Sequence, residues 1–234
     1  MDQLTIDLKN ALMKEGASLV GFADMRALPP ETRNSLDYGV SIVVALNPKV
    51  VKGIAEAPNR SYFYEFVRAN DFLNYLSEFG ARFLTEKGYK AVPMGAKAIN
   101  PEKLSAPLQH KTVATRAGIG WIGKSAMLVT EEFGPAIRLN SVLTDAPLEC
   151  AVPIEASKCG DCKECMNACP GKAISGNLWD VTKSRDEFFN AMKCFQVVSG
   201  FKKSLGLETM MSTAGLCGRC MVVCPKAKKY LKCV

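Results

Sequence analysis

Histidine is nearly absent from this chain of 234 residues, which contains His110 alone. Zinc, copper and non-haem iron sites that need several imidazoles are therefore excluded, and any metal must be held mainly by thiolates. No apolar run reaches the roughly 18 to 20 residues that a bilayer span needs. Residues 1–5 also lack the charged and then apolar order of a signal peptide. From these absences we expect a cytoplasmic protein that does not insert into a membrane.

Cysteine is missing from the first 149 residues, although ten cysteines lie between Cys150 and Cys233. Disulfides are rare in the reducing cytosol, so a cytosolic chain with ten cysteines indicates metal or redox chemistry. Charge changes at the same place, because residues 151–234 contain 13 Lys and Arg against 7 Asp and Glu, whereas residues 1–150 contain 17 against 16. The composition therefore predicts two domains, 1–149 and 150–234.

The first domain is predicted to be mixed α/β. Apolar residues at helical spacing predict helices from Leu4 to near Gly16 and from Tyr62 to Lys87. The aromatic stripe of the second helix is best explained as hydrophobic core rather than as a cofactor contact. Short apolar runs that are rich in β-branched residues predict strands. The predicted strands are 18–23, 39–46, 126–130 and 136–143, the last two joined across 131–135.

Four cysteines follow the spacing C-x2-C-x2-C-x3-C-P, which is the spacing of bacterial ferredoxins. They are Cys159, Cys162, Cys165 and Cys169, with Pro170 after the last. Short spacers let three thiolates of one loop reach three corners of a cubane, while the fourth cysteine ligates the other cluster. The pattern is highly specific for a protein with two [4Fe-4S] clusters.

A second set repeats this frame with a long insertion after its first member. It consists of Cys194, Cys217, Cys220 and Cys224, with Pro225 after the last. The crossing rule assigns Cys159, Cys162, Cys165 and Cys224 to cluster 1, and Cys169, Cys194, Cys217 and Cys220 to cluster 2. Zinc ribbons also use paired C-x2-C motifs, but they need neither the third cysteine nor the prolines. Cys150 and Cys233 lie outside the frame and are expected to be ordinary thiols.

Three glycines, Gly118, Gly120 and Gly123, match G-x-G-x-x-G. A dinucleotide site is disfavoured, because the fingerprint should follow a strand, open a helix and precede an acidic residue by about twenty positions. The glycines indicate either a backbone that approaches a large flat cofactor or a structural turn beside Trp121. The backbone amides from Gly118 to Lys124 are the better candidates for cofactor contact.

The chain resembles the epoxyqueuosine reductases and the related reductive dehalogenases. The resemblance begins at Ser105-Ala106-Pro107 and continues through the glycine segment, the first cysteine motif and the second cysteine set. Further matching runs are 114–124, 144–148 and 217–225, with weaker similarity at 21–24, 41–45 and the helix after Tyr62. The specific motifs stand in the right order and at compatible distances over nearly the whole chain.

This resemblance implies a nitroreductase-like α/β domain that holds cobalamin, followed by a ferredoxin domain with two [4Fe-4S] clusters. It implies an oxygen-sensitive oxidoreductase in which electrons pass from the clusters to cobalt, which reduces the substrate. The corrinoid contacts that it implies are Gly118, Gly120, Trp121, Gly123 and Lys124.

Two departures from the resembled family affect the expected chemistry. Epoxyqueuosine reductases carry a catalytic aspartate immediately before the Ser-Ala-Pro run and a glutamate six positions later, and Leu104 and His110 stand at those places. Leucine cannot donate a proton, so His110 becomes the candidate proton donor, with an ordinary pKa of about 6.5. Its alternative is an ordinary surface or helix-end histidine. Family members that act on transfer RNA continue into a helical repeat domain, so transfer RNA is not the expected partner.

Three functions remain open at this point. The first is a corrinoid-dependent oxidoreductase that acts on an unknown small or protein-bound substrate, with a ferredoxin or flavodoxin as electron donor. The second is an electron-transfer protein without its own substrate chemistry, which reduces a corrinoid or other redox protein. The third, a flavin-binding nitroreductase-like enzyme, has less support because nothing in the first 149 residues specifically requires flavin.

The formal charge of +7 counts every thiol as neutral. Each oxidised [4Fe-4S] centre with four thiolates adds about −2, so two clusters remove roughly 4 units from the basic C-terminal domain. The remaining surface excess is expected on four lysines near the C-terminus. They are Lys226, Lys228, Lys229 and Lys232, and we expect them to form a docking face for an acidic electron donor.

Overall fold

A computed structural model describes residues 2–95, 104, 106–207 and 216–232. These residues form two compact units, each of which is discontinuous along the chain. The first unit comprises residues 1–44, 70–120 and 138–155. The second comprises residues 45–69, 121–137 and 156–234.

The secondary structure alternates between helices and strands without a regular βαβ repeat. The helices are α1 (Gln3–Lys14), α2 (Pro48–Lys52), α3 (Arg60–Thr85), α4 (His110–Arg116), α5 (Glu164–Ala168), α6 (Ala191–Ser204), α7 (Arg219–Val222) and α8 (Pro225–Leu231). The strands are β1 (Leu19–Asp24), β2 (Tyr38–Ala45), β3 (Ala91–Pro93), β4 (Trp121–Ile122), β5 (Leu128–Val129) and β6 (Ile137–Thr144). In the part described, no helix is long and apolar enough to cross a membrane.

Helix α1 forms where the leucine spacing predicts it. The Asp2 carboxylate accepts a hydrogen bond from the Thr5 amide and so caps the first turn. Leu8 and Leu12 are fully buried on the inner face. After the helix ends, Gly16 adopts a φ of +107°, a conformation that glycine reaches without strain.

Four strands form the main sheet in the order β1-β2-β6-β3. β1 and β2 are antiparallel with Gly21 opposite Ser41, and β3 and β6 are antiparallel with Val92 opposite Leu143. Six consecutive residues of β2, from Gly39 to Val44, are buried. A strand that is covered on both faces reads as a continuous apolar run, which is the pattern seen in this part of the sequence.

Helix α3 contains 26 residues and carries the aromatic stripe. Within the first unit Leu73, Leu76 and Leu84 are buried, and within the second unit Tyr62 and Phe66 are buried. The stripe is therefore hydrophobic core, as the sequence pattern predicts. The N-terminal part of the helix belongs to the second unit and the remainder to the first.

The strand predicted at 136–143 is confirmed, whereas the strand predicted at 126–130 is shorter in the structure. The confirmed strand is β6 of the main sheet. The shorter strand is β5, which pairs with β4 in a separate two-stranded sheet with Leu128 opposite Ile122. The reason is the turn at Thr130 to Gly134, where two backbone hydrogen bonds join Thr130 and Gly134 and end the strand. An apolar run alone does not show where such a turn interrupts it.

The second unit holds the cysteines on short elements. Its small cores include Ala126, Trp179 and Phe188, and the ring of Phe133 meets that of Tyr230 edge-on at 5.0 Å between centroids.

The two compact units do not correspond to a division of the chain at one position near residue 150. Two stretches before that position, 45–69 and 121–137, group with the cysteine-rich residues because they pack on the same short helices, as α2 does on α8. The boundary between 149 and 150 stays a prediction from composition.

Candidate iron-sulfur site

The first cysteine motif forms a tight loop that enters a short helix. The Cys162 amide donates to the Cys159 carbonyl at 3.2 Å, and Gly160 between them has a φ of +52°. Cys165 lies on α5, and Cys169 ends that helix. The short spacers therefore keep three thiols on one loop and send the fourth away along the helix.

The second set is assembled from three elements. Cys194 lies on α6, Cys220 lies on α7, and Cys224 precedes Pro225 at the start of α8. Gly218, next to Cys217, has a φ of +69°, and a Cβ there would come within 2.3 Å of Ile54 Cδ1. The glycine in this motif is thus required by both backbone conformation and packing.

The structure brings together the four thiols that the crossing rule assigns to cluster 1. Burial raises the pKa of Cys165 to about 11, and the neighbouring thiols Cys159, Cys224 and Cys162 raise it further. Burial also raises the pKa of Cys224, and Cys159 and Cys162 add to that effect. Cys224 is therefore a spatial neighbour of the first motif although it is the last member of the second.

The other four thiols form a second group. Burial raises the pKa of Cys194 to about 11, with further contributions from Cys217 and Cys169. The pKa of Cys220 is raised by burial and then by Cys217, Cys194, Cys165 and Cys169. Cys220 and Cys165 thus mark the place where the two groups approach each other.

This donor set consists of thiols, which are the ligands that iron-sulfur clusters take. Among the residues that the structure describes, no group of three or more His, Cys, Asp or Glu could hold one metal ion. Zinc ligands converge on a single centre, whereas the thiolates of a cubane stand apart around four irons. Burial disfavours the free thiolates, and a bound iron would offset that penalty. The crossed ligand assignment itself remains a prediction.

Lys124 and Gly123 lie against the first cysteine loop. The Lys124 side chain is buried, and its Nζ donates to the Cys162 carbonyl at 2.9 Å. A Cβ on Gly123 would lie 2.9 Å from Val129 Cγ2 and 3.5 Å from Cys159 Sγ. Both residues are predicted corrinoid contacts, and in the structure they contact the cysteine loop. Their role toward a corrinoid stays a prediction.

Trp121 contributes a buried hydrogen-bond donor to the same part of the second unit. Its side chain is 1% exposed, and its Nε1 has no hydrogen-bond partner in the described part of the chain. The ammonium groups of Lys158 and Lys226 each lie 5.6 Å from the ring centroid. Lys226 also forms an ion pair with Glu131 at 2.5 Å. The Trp121 side chain thus carries a buried donor that has no acceptor among the described residues.

Gly118 and Gly120 belong to the first unit. Gly118 has a φ of +66°, and a Cβ there would lie 3.0 Å from Ala151 Cβ and 3.2 Å from the Val152 carbonyl oxygen. Gly120 is buried. Helix α4 precedes the glycine segment and β4 lies within it, so the segment does not open a helix after a strand. The structure therefore agrees with the case against a dinucleotide fingerprint.

His110 is the first residue of α4 and is partly buried. Its Nδ1 lies 3.1 Å from the hydroxyl of Ser141, which is fully buried on β6. Leu104, at the position of the expected aspartate, has a φ of +47°. Ser105 lies outside the described residues. The role of His110 as a proton donor remains a prediction, and the structure adds Ser141 as its polar neighbour.

Arg219 is a further polar residue of the site, and the cysteine motifs include it only as a spacer. Its Nη1 donates to the Glu56 carbonyl at 2.7 Å, and its Nε is buried without a partner in the described part of the chain. The residue stands between Cys217 and Cys220, so its position within the motif is the signal that could have identified it. It places a guanidinium beside the second thiol group.

The remaining residues singled out by the sequence are two cysteines and the C-terminal lysines. Cys150 donates to the Leu148 carbonyl at 3.3 Å, and burial raises its pKa to about 11. Cys233 lies outside the described residues. Two of the C-terminal lysines are partly neutralised by acidic side chains. Lys226 forms an ion pair with Glu131, and Lys228 lies 3.9 Å from Glu164.

The chain is similar in sequence to known proteins. Residues 158–227 match the family model described as a 4Fe-4S double cluster binding domain. The chain is 34% identical over 122 residues to an epoxyqueuosine reductase of Bacillus anthracis, which covers 52% of this chain and 30% of that protein. It is 27% identical over 179 residues to an epoxyqueuosine reductase of Aliivibrio fischeri, which covers 72% of this chain and 43% of that protein. The chain thus spans less than half the length of these relatives.

Solved structures share the fold. An epoxyqueuosine reductase bound to a stem loop of an epoxyqueuosine-modified tRNA superimposes with a TM-score of 0.64 at 21% identity, covering 97% of this chain and 66% of that chain. A reductive dehalogenase described in terms of B12-dependent dehalogenation superimposes with a TM-score of 0.70 at 19% identity, covering 96% of this chain and 33% of that chain. The resemblance predicted from the motifs is confirmed, and the mixed α/β fold is similar in both groups.

Proposed function

We propose that this protein is an iron-sulfur oxidoreductase in which two [4Fe-4S] clusters pass low-potential electrons to a corrinoid, which reduces a substrate. The observation that carries the proposal is the sorting of eight partly buried thiols into two groups of four. The match of residues 158–227 to a double cluster binding domain supports the clusters. The relatives named as epoxyqueuosine reductases support the oxidoreductase activity.

The corrinoid part of the proposal is supported by other observations. The dehalogenase with the similar fold is described in terms of B12. In this chain the buried Nε1 of Trp121 is a donor without a partner in the described part, and a carboxamide or phosphate oxygen of a bound cofactor would satisfy it. Trp121 and the backbone amides from Gly118 to Lys124 are the groups that would hold it, in the nitroreductase-like domain expected at 1–149. When bound, a corrinoid supplies a strongly reducing, nucleophilic cobalt centre.

The chain's own groups have separate tasks in this proposal. The thiol groups hold the clusters, and burial keeps water away from them. Cluster potentials span about −700 to +450 mV, and low potentials suit the reduction of a corrinoid. His110, with Ser141 as its neighbour, is the proposed source of the substrate proton. The substrate class remains small or protein-bound, and transfer RNA is not proposed.

A second function is favoured by one specific observation. Leu104 stands where the resembled family has its catalytic acid, and leucine cannot transfer a proton. A protein that only reduces a corrinoid or another redox protein would not need this acid. Under this alternative the clusters and the electron donor are the same, but the isolated chain reduces no substrate.

The experiment begins with anaerobic reconstitution and titration with cobalamin. We expect about eight irons per chain, and a change in the corrinoid absorbance that saturates at one equivalent. Trp121→Phe should weaken that binding while the iron content stays unchanged. An unchanged corrinoid spectrum with full iron would refute the corrinoid proposal and favour the second function.

The ligand assignment is tested by counting iron in single variants. Cys165→Ser and Cys220→Ser each remove one predicted ligand, so we expect each to lower the iron content by up to about four atoms, because one cubane loses a corner. Cys150→Ser is the matched control, since this thiol lies outside both groups, and its iron content should equal that of the parent protein. Equal iron in all three variants would contradict the frame.

A further inference from the structure

The two cysteine sets differ in charge at one equivalent position. In each set two residues separate the second cysteine from the third, and the latter of these residues is Glu164 in the first motif and Arg219 in the second set. Each is the first residue of a short helix, α5 or α7. Glu164 is exposed and lies 3.9 Å from Lys228. The ligand frame therefore does not require a cation at this position, and Arg219 needs an explanation of its own.

One loop of the second unit holds Arg219 in place. Its Nη1 donates to the Glu56 carbonyl at 2.7 Å, in the loop that follows α2. The preceding residue, Gly218, packs on Ile54 of the same loop, because a Cβ there would come within 2.3 Å of Ile54 Cδ1. The backbone and the guanidinium of Arg219 are thus both fixed by residues 54–56.

The Nε atom of Arg219 is a buried donor without an acceptor. The residue as a whole is only partly buried, but Nε itself is buried and has no hydrogen-bond partner among the described residues. A guanidinium stays charged in proteins, so the Nε proton cannot be lost to relieve this situation. A buried donor that makes no hydrogen bond is unfavourable, and an acceptor beside Nε would remove that cost.

The second thiol group lies beside this guanidinium. Burial raises the pKa of the Cys217 thiol, and a hydrogen bond from the Arg219 amide and the charge of the Arg219 guanidinium both act in the opposite direction. Cys220 directly follows Arg219 on α7. Hydrogen bonds to the sulfur atoms are among the factors that set the reduction potential of an iron-sulfur cluster. The first group has a cation from another element, since Lys124 lies on the turn between β4 and β5.

We propose that Arg219 donates a hydrogen bond from Nε to a sulfur atom of cluster 2 and raises the reduction potential of that cluster. The inference rests on the proposed function, since it requires both clusters. Reduction adds one electron to the cluster, no bond forms or breaks, and the guanidinium keeps its proton. A fixed cation with a directed N–H stabilises the more negative, reduced state more than the oxidised state, so the potential rises.

The first test is a redox titration of the reconstituted protein, followed by electron paramagnetic resonance. Arg219→Met removes both the charge and the donor. We expect the equilibrium constant for one-electron reduction of one cluster to fall by about tenfold, which is a shift of about 59 mV. Arg219→Lys keeps the charge without the Nε donor and should recover part of that loss.

Arg60→Met is the matched control for the titration. Arg60 belongs to the same unit, and its Nε and Nη2 already donate to the Leu205 carbonyl at 3.3 and 3.0 Å. Both potentials of this variant should equal those of the parent protein. Lys124→Met assigns the affected cluster, because it should lower the other potential. The same potential lowered by Lys124→Met and by Arg219→Met would contradict the assignment to cluster 2.

A second measurement does not depend on the stability of Arg219→Met. Arginine that carries ¹⁵N at Nε is incorporated into the parent protein, and the reduced clusters are studied by pulsed electron paramagnetic resonance. We expect a ¹⁵N coupling to a cluster that Arg60→Met retains and Arg219→Lys loses. If Arg219→Met does not retain iron, this coupling decides the question.

Three results would overturn the role of Arg219. They are parent potentials in an iron-loaded Arg219→Met, an equal shift in Arg60→Met, and no coupling from the label in the parent protein. The iron content of the parent protein is measured in parallel. Failure of the parent to bind about eight irons would refute the proposed function, whereas full iron with any of the three results refutes the role of Arg219 alone.

Discussion

At the scale of single residues, a cation accompanies each thiol group: Lys124 is buried, and Arg219 is partly buried with a buried Nε. Lys124 donates to the Cys162 carbonyl beside the first group, and Arg219 lies between Cys217 and Cys220 in the second. A buried charge is expensive unless it is paired or faces an opposite charge. A cluster with four thiolates carries a net negative charge and would supply that partner. These two cations are thus explained by the proposed clusters better than by packing.

Replacing Lys124 tests this explanation. Lys124→Met removes a positive charge close to cluster 1, so the reduced, more negative state of the cluster loses stabilisation. We expect the reduction potential of one cluster to fall by on the order of 50 mV, measured by redox titration with electron paramagnetic resonance. Lys124→Arg should restore most of the potential. Lys163→Met, an exposed lysine on the neighbouring helix boundary, is the control, and an equal shift there would contradict a specific role for Lys124.

At the scale of elements, the short helices around the cysteines depend on close backbone contacts. Helices of four to seven residues, such as α7 and α8, have little stability of their own. The turn after β5 supports α8, because a Cβ on Gly134 would meet the Ala227 backbone nitrogen at 2.3 Å. This contact holds the helix whose first residue, Pro225, directly follows the predicted ligand Cys224.

Gly134→Ala tests that contact. The new methyl group would overlap the α8 backbone, and Gly134 has a φ of +57°, so we expect the free energy of unfolding to fall by about 1 to 3 kcal/mol. Gly200→Ala is the matched control, because nothing lies within 4 Å of its Cβ position in α6. That variant should be neutral or more stable by up to about 1 kcal/mol. Denaturant unfolding of the cluster-loaded proteins measures both, and equal stability of the two variants would refute the contact.

At the scale of the whole molecule, the two compact units differ in what stabilises them. The first unit has a four-stranded sheet and helix α1 with buried Leu8 and Leu12. The second unit relies on short elements and small cores such as Ala126, Trp179 and Phe188. Eight partly buried thiols in such a unit lose their favourable environment when no iron is bound. The proposed clusters are therefore structural as well as redox groups.

Removal of iron by a chelator tests this difference. We expect faster hydrogen–deuterium exchange in residues 156–207 and 216–232, because the metal supplies part of the folding free energy there. Residues 2–44 and 138–151 should keep most of their protection. Mass spectrometry of the loaded and stripped proteins measures the exchange. Equal loss of protection in both sets of residues would show that the second unit does not depend specifically on iron.

The sequence by itself predicted the eight cluster cysteines, because the ferredoxin spacing is set by the dimensions of a cubane and is visible along the chain. It also predicted α1, α3 and the buried strands, since their apolar periodicity is local. Only the tertiary structure decided that Lys124 contacts the Cys162 carbonyl and that β5 leaves the main sheet. It also decided which lysines have acidic neighbours, as Lys226 does in Glu131. These features depend on residues far apart in the chain, and local spacing carries no information about which distant groups meet.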